Sequence, residues 1–543
     1  MLQLSSRCAK RMLLSVIVAL GMIGTVIAAE TPVRGGTLNY VVGSKIPSYD
    51  GHKETTFGMI HPIRPFYSLL LRVNPDNPQS PTDIICDVCE SYKLSSDGKS
   101  YIFKLKQNVK FHDGTPMTSA DIKATLDKIV FPPEGIPSSR KQWYSVVQGV
   151  DAPGKYEVVV RMKRPLAAMV GALASPFNFI YSKKDLDTHG YRWHQKNING
   201  TGAFKLVQHQ PGAFMEGGRF KDFHVKGQPY LDGFKAISAP KMSVRLQAIR
   251  GNRAAIEFRG FPPKARDDLV RALGKKIRVQ ESDWNIVMGF NANQKIKRFK
   301  DPRVRQALSY SMDRWGGSKY LSKIALVKTV GGLVFPKHPL AAKKKWLQDN
   351  IPGFHPNVKV NRAKAAKLLA EAGYGPKNPL KVTLWNRAVD QPYKVVGTWY
   401  IDQWRKTGID ADQKVVPSGP WYAGLRKTKD FDVCTSFISA SIVNPTIDVS
   451  KWLLNAGANY AYHEDKKTYD LYYDMLYEAD AKKHYTKMRA YEKHVIADQS
   501  HFAAVMWWNK INPHRSYVKG WNIAPSHYLN QALDRVWIDP KLR

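Results

Sequence analysis

Ser96-Asp97-Gly98-Lys99-Ser100-Tyr101-Ile102-Phe103-Lys104-Leu105, followed by Val109-Lys110-Phe111-His112-Asp113-Gly114-Thr115-Pro116, is the stretch from which the fold is read. Asp97-Gly98 is a turn signal, and Tyr101, Phe103 and Leu105 then alternate as one face of a strand. Asp113-Gly114 makes a second turn. Thr118, with Asp121 one helical turn on, opens a helix whose Ile122, Leu126 and Ile129 share a side. Tyr156, Val158, Val160 and Met162 alternate again. Upstream, Arg34-Gly35-Gly36-Thr37-Leu38-Asn39-Tyr40-Val41-Val42 is a turn leading into a buried strand. Downstream, Asp301-Pro302 starts a helix carrying Val304, Ala307, Leu308 and Ser311 on one face, with Pro at its first position. Asn361 is read as the cap of a further helix, Arg362 to Ala372, which Gly373 stops. Strands and helices interleave throughout, which indicates α/β lobes. There is no internal repeat and no low-complexity linker.

The chain has 543 residues, too many for one ordinary core, and 43% hydrophobic residues, enough to bury several. Arg7, Lys10 and Arg11 precede an uncharged stretch from Met12 to Ala29 that ends in small residues. That is the pattern of a cleaved secretory signal over residues 1–29, with an uncleaved anchor as the alternative. A periplasmic mature protein is expected. Lys and Arg number 83 against 45 Asp and Glu. Export argues against nucleic acid as the partner, and the basic residues are spread along the chain with no DNA-reading motif. Either an anionic ligand or neighbouring surface, or a solvated basic coat, accounts for the charge.

Cys86-Asp87-Val88-Cys89 has redox or half-zinc-site spacing, but no second pair completes a metal site and no thioredoxin-like pattern surrounds it. A local disulfide and two free thiols both remain open. No G-x-S-x-G or H-E-x-x-H occurs, and the 15 histidines show no metal-ligand clustering along the sequence. Phe111-His112-Asp113-Gly114 reads as a surface turn and Gly200-Thr201-Gly202 as a strand-entry turn; no P-loop Lys-Ser/Thr follows the latter. Neither an enzyme nor a cofactor or resident metal is expected.

The chain resembles the family-5 extracellular solute-binding proteins, the peptide, opine and nickel binders of ABC importers. The likeness is carried by Gly35-Gly36-Thr37-Leu38, the two stretches quoted at the outset, Asn199-Gly200-Thr201-Gly202-Ala203-Phe204 and Pro229-Tyr230-Leu231-Asp232. It continues through Asp301-Pro302-Arg303-Val304-Arg305-Gln306-Ala307-Leu308 and Ala366-Lys367-Leu368-Leu369-Ala370-Glu371-Ala372-Gly373-Tyr374. The resemblance implies an α/β two-lobed periplasmic-binding-protein clamp with an extra subdomain inserted in the first lobe. Lobe one maps to residues 31–70, 195–290 and 512–543, the insertion to 71–194 and lobe two to 291–511. Two strand crossovers near Phe290-Asn291 and Lys510-Asn512 form the implied hinge. A monomer that captures a small or peptide-like solute and hands it to an inner-membrane ABC permease is the implied function. A secreted hydrolase lacks the motifs, and a ligand-presenting sensor or chaperone subunit using the same clamp is the alternative.

In peptide-binding members an aspartate downstream of a Tyr/Phe-Asp-φ segment holds the peptide's ammonium. The matching run here is Phe431 to Pro445, which puts Ser441 at that aspartate. A buried ammonium without its partner costs roughly 3–5 kcal/mol, so free peptides are disfavoured unless Asp50 or Asp390 substitutes. The same mapping gives the remaining cleft candidates: Tyr49, His52, Trp284, Asn285, Trp385, Asn386, Arg387, Phe437, Ser439 and Asn444. Arg387, emerging after the strand Val382-Thr383-Leu384, is suited to a two-pronged contact with a carboxylate or phosphate. The expected ligand is therefore anionic or zwitterionic, such as an opine-like conjugate or a blocked peptide.

Overall fold

The computed structural model of the protein describes residues 30–80, 82–166, 168–283, 286–439, 444–454, 456 and 459–543. The leader expected over residues 1–29 lies outside them. No helix among the described residues is long and apolar enough to cross a membrane.

The first lobe is built on a four-stranded sheet ordered Thr37–Val42, Gly233–Ser238, Phe214–Arg219, Phe204–Gln210. Leu38, Tyr40 and Val42 pack from it into the core. Its motifs prove structural. Gly35 and Gly36 adopt φ of 114° and 80°, open to glycine without strain, and the Gly36 N–H donates to Asp232 Oδ2 at 2.8 Å. At Gly200 an added Cβ would lie 2.0 Å from the Phe66 carbonyl oxygen, so only glycine admits that close approach. His112 braces the same turn: Nδ1 accepts from the Gly200 N–H at 3.3 Å and Nε2 sits 3.2 Å from the Gly202 oxygen. The turn itself is at the surface as expected, with Asp113 and Gly114 exposed, while His112 beside it is a buried strut.

The inserted subdomain is an antiparallel sheet ordered Cys89–Leu94, Ser100–Leu105, Glu157–Met162, Val147–Gly154, with the helix Ser119–Val130 against it. Tyr101, Phe103, Leu105, Val158, Val160 and Met162 are buried on one face, as the alternation requires. Asp121 accepts the Thr118 N–H at 2.8 Å, closing the helix start. Cys86 and Cys89 are joined by a disulfide.

The second lobe carries a six-stranded mixed sheet ordered Val327–Thr329, Ala503–Trp508, Ile286–Ala292, Val433–Ser439, Lys381–Arg387, Asp410–Val416. Asp301 caps the helix Pro302–Tyr310 through the Arg303 N–H at 2.9 Å. The next predicted helix begins a turn earlier than expected, as Val358–Glu371. Asn357, not Asn361, accepts at its start, from the Lys359 N–H at 3.0 Å, while the Asn361 amide donates to the His355 oxygen. Gly373, at φ 87°, follows its end.

Two antiparallel strands, Ile277–Ser282 and Lys510–Arg515, join the lobes. The chain passes between sheets after Ser282 and again between Trp508 and Lys510, the first passage falling several residues before Phe290-Asn291. The whole is an α/β clamp of two lobes with an extra subdomain inserted in the first.

A buried ion pair pins that subdomain to the first lobe. Lys128, on the helix Ser119–Val130, reaches Asp50 Oδ2 at 2.9 Å and Oδ1 at 3.1 Å. Asp50 also accepts from the Tyr181 hydroxyl and the His52 N–H, each at 2.9 Å. Both partners are almost wholly buried. Breaking one side leaves a charge without compensation, so Asp50→Ala is expected to lose about 3–5 kcal/mol in urea unfolding. Asp50→Leu combined with Lys128→Met should recover most of that loss, and a double variant as weak as the single one would refute the ion-pair account.

Candidate functional site

Lys381–Arg387 runs parallel to Asp410–Val416 and to Val433–Ser439, so the carboxyl ends of three strands open at one edge of the second-lobe sheet. Ligand sites of open α/β sheets form at such edges. Arg387 stands there at the end of its strand. Its Nε donates to Ser418 Oγ at 2.7 Å, and its guanidinium lies 5.7 Å from the Phe57 ring, 5.5 Å from Tyr393 and 5.4 Å from Tyr422.

Arg259 faces it from the first lobe. Ile256 bridges to Tyr40 of the first strand, and the Phe261 N–H donates to the Ile511 oxygen at 2.8 Å on the connecting ribbon. Between them Gly260, at φ +100°, lets the backbone press on Ile511, where a Cβ would come within 2.6 Å of the carbonyl oxygen. The Arg259 guanidinium is thereby held 4.6 Å from Phe57, 5.9 Å from Tyr393 and 5.1 Å from Trp508. Two arginines from opposite lobes thus share the same two rings.

The wall continues through further cations and rings. Arg426 lies 4.7 Å from Tyr422, donates to the Tyr460 hydroxyl at 3.2 Å and reaches across to Thr55 Oγ1 at 3.2 Å. Lys451 lies 5.4 Å from Tyr460 and 5.0 Å from Phe437, donating to Ser436 Oγ and to the Phe437 oxygen. Phe437 in turn meets Tyr393 edge-on at 6.2 Å. Cations and rings alternate around the site.

Its electrostatics are one-sided. Arg259 Nε and Arg387 Nη2 are buried without a hydrogen-bond partner, and neither arginine has a carboxylate in ion-pair range among the described residues. Glu257, near Arg259 in sequence, spends its oxygens on the Arg259 and Gly260 N–H groups at 3.3 and 3.0 Å. Burial, with Arg387 nearby, lowers the Arg259 guanidinium to about 10, still protonated at neutral pH. Burial, with Arg426 adding to it, lowers Lys451 to about 7. Such a site holds an anion between guanidiniums and aromatic faces. The nearby thiol is not activated: Cys434 is buried and pushed up to about 12 by that burial.

Of the residues expected at the cleft, Arg387 and Phe437 are on this wall. Trp385 lies behind it, its indole donating to the Trp421 oxygen at 3.4 Å. Asn386 is fully committed internally, to the Tyr393 oxygen, Gln413, Thr435 and the Arg387 N–H. Asn444 caps the turn Pro445–Asp448 through the Thr446 N–H at 3.0 Å. Asp50 is spent on Lys128, and Asp390 pairs with Lys394 at 2.9 Å. His52 Nε2 sits 2.9 Å from the Phe179 oxygen, and the Tyr49 hydroxyl meets His209 Nδ1 at 2.5 Å, beside the four-stranded sheet. Ser439 ends its strand opposite Ile286, its side chain outside the described residues, as are Trp284, Asn285 and Ser441 altogether. Sequence reading missed Phe57, Arg259, Tyr393, Tyr422, Arg426, Tyr460 and Lys451. They come from separated segments, and only the excess of Lys and Arg hinted at them.

A two-lobed clamp with cations and aromatic rings facing each other between the lobes is the architecture of a solute-binding protein. Residues 83–460 match the family model for bacterial extracellular solute-binding proteins, family 5, and the chain belongs to that family, one of binders rather than enzymes. It is 26% identical over 411 residues to the glutathione-binding protein GsiB of Escherichia coli K12, covering 74% of each chain. The fold superposes on AgaA of A. tumefaciens R10, solved with agropinic acid, with a TM-score of 0.79 at 22% identity, covering 93% of this chain and 99% of that one. It superposes on OppA of Haemophilus influenzae, solved with the peptide RPPGFSPFR, with a TM-score of 0.82 at 18% identity and the same coverage.

Lys510, at the start of the connecting strand, gives the protein a pH signature. It is wholly buried, donates to the Ala524 oxygen at 3.2 Å, and burial lowers it to about 7. The unfolded lysine keeps its proton up to about 10.4, so between the two values the unfolded chain binds more protons. Stability is therefore expected to rise from pH 7 towards pH 10, and Lys510→Met to flatten that rise in urea melts. An unchanged slope in the variant would place the titration elsewhere.

Proposed function

We propose that this protein is the substrate-binding component of an ABC importer, exported to the periplasm. In this reading it closes on a small organic anion or zwitterion, opine-like or a blocked peptide, and delivers it to an inner-membrane permease. The observation that carries this is the pair Arg259 and Arg387, buried from opposite lobes against Phe57 and Tyr393 with no carboxylate in ion-pair range among the described residues. An anionic group placed between them satisfies both guanidiniums and is reached by both only when the lobes meet. The ligand thereby binds the closed form better than the open one, which is what drives closure. That a similar fold was solved with agropinic acid, an acid, agrees with this chemistry.

The test is a thermal-shift screen of the mature protein against opines, N-blocked peptides, sugar acids, nickel chelates and amidated peptides whose only charge is an ammonium. A ligand at one hundred times its Kd stabilises the fold by about 2.7 kcal/mol. Acids are expected to raise the melting temperature, and Arg387→Met or Arg259→Met to abolish the shift. The ligand-free Met variants should be about 1 kcal/mol more stable than the parent, because each removes a buried charge that lacks a partner. Stabilisation by the amidated peptides alone would overturn the reading of the ligand while leaving the family intact.

A further inference from the structure

Away from the cleft, three side chains distant in sequence converge on one point of the second lobe. Asp465 caps the helix Lys466–Leu476, His494 lies in the turn that follows the helix Ala481–Lys493, and His501 stands just before the strand Ala503–Trp508. Asp465 Oδ2 is 2.5 Å from His494 Nε2 and 3.0 Å from His501 Nε2, and the three atoms lie within 4.8 Å of one another. Both imidazoles are buried. The geometry points to a transition-metal site, with Asp465, His494 and His501 binding one Zn²⁺ through a carboxylate oxygen and two imidazole nitrogens.

The surroundings are those of an oriented ligand set. Asp465 is fixed as the helix cap, Oδ1 accepting from the Lys467 N–H at 3.0 Å and Oδ2 from Thr468 Oγ1 at 2.8 Å. His501 is held on its far nitrogen, where Nδ1 meets the Gln294 side-chain amide at 3.0 Å, and by Asn291, which donates to its backbone oxygen at 2.5 Å. Such partners on the second nitrogen set the tautomer of a ligating histidine. A Gln294 amide turned to present its oxygen accepts the Nδ1–H that a metal-bound imidazole carries. His494 Nδ1 is buried with no partner. His463 stacks on His501 at 3.8 Å, fixing the ring plane.

With the ion absent, two imidazole N–H groups and a hydroxyl crowd one carboxylate oxygen. One dication in place of the two N–H protons would be met by the same three ligand atoms. Zn–N and Zn–O bonds of about 2.0–2.2 Å set neighbouring ligand atoms about 3.3 Å apart, so the carboxylate–imidazole distances of 2.5 and 3.0 Å each widen by less than about 1 Å. Two nitrogens and one oxygen favour zinc over calcium or magnesium, which take oxygen ligands. Arg305 adds a positive charge nearby, its guanidinium held by the Phe299, Lys300 and Gln499 oxygens, and the Asp465 carboxylate offsets it. The ion ties two helix termini to the start of a central strand, so its role is to staple the second lobe rather than to meet the transported solute.

The test uses the full-length mature protein without an affinity tag. After zinc loading and desalting, elemental analysis is expected to find about one zinc per chain, and chelator to remove it with a fall in melting temperature. His494→Gln, His501→Gln and Asp465→Asn should each weaken zinc affinity about tenfold or more. His355→Gln, at an exposed histidine, should leave it unchanged. Cobalt bound in place of zinc should show the visible absorption of a low-coordinate site in the parent and lose it in His494→Gln. Binding that survives all three substitutions, or no retained zinc in the parent, overturns the site and leaves a His–Asp–His hydrogen-bond cluster. Should the variants not fold, anomalous diffraction at the zinc edge from the parent decides: a peak among the three atoms supports the site, and its absence there refutes it.

Discussion

Everything at the cleft depends on the antiparallel ribbon that joins the lobes. Ile277–Ser282 and Lys510–Arg515 pair over their whole length, and each neighbours a second-lobe strand in the chain, Ile286–Ala292 after the first and Ala503–Trp508 before the second. Because the backbone hydrogen bonds of a paired ribbon resist shear, the two sheets can rotate about this connection but not slide past it. The same ribbon positions the first-lobe side of the site. Phe261 bonds to Ile511, Asn512 donates to the Glu257 oxygen at 2.8 Å, and Gly260 lies flat against the strand, leaving Arg259 directed at the opposite lobe. Trp508, the last residue before the passage, becomes one of the rings that Arg259 faces.

Set against that scaffold, the charges of the molecule fall into two groups. Three buried carboxylates are neutralised: Asp50 by Lys128, Asp87 by Arg64 and Arg72 with His224 close by, and Glu492 by Arg489. Asp87 also accepts the Leu69 N–H at 2.9 Å, so the disulfide turn on either side of it is anchored electrostatically. Arg259 and Arg387 are buried without such partners. Two guanidiniums buried at the junction of the lobes, with no carboxylate in ion-pair range among the described residues, have the charge and position to meet an anion. Polar and cation–ring contacts across the lobes include the Arg426 to Thr55 hydrogen bond, Gln142 to the Tyr473 hydroxyl at 3.2 Å and Arg164 over Tyr477 at 4.0 Å.

Local physics was legible in the sequence wherever neighbours along the chain decide the outcome. The alternation at Tyr101, Phe103 and Leu105, the Asp301 cap, the Thr118–Asp121 pairing and the glycine turns all hold, because each rests on residues a few positions apart. The reading slipped where two equivalent local choices competed. Asn357 and Asn361 both offer a capping amide, and the packing of His355 settled which one caps. Arg387 could be placed at a strand's end by the same local logic. Its partner Arg259, the rings between them and the neutralisation of Asp50 by Lys128, 78 residues away, could not.

The sequence by itself determined the alternation of strands and helices, the turns that only glycine can make, the family and the sign of the charge. Each is set by side-chain chemistry and backbone sterics over a few residues, or by composition. Only the tertiary structure decided which of the many cations lack a counter-ion, which carboxylates are already spent, and that Asp465, His494 and His501 share one point. Charge compensation is a matter of distance and burial, and both are set by how distant segments pack rather than by their order in the chain.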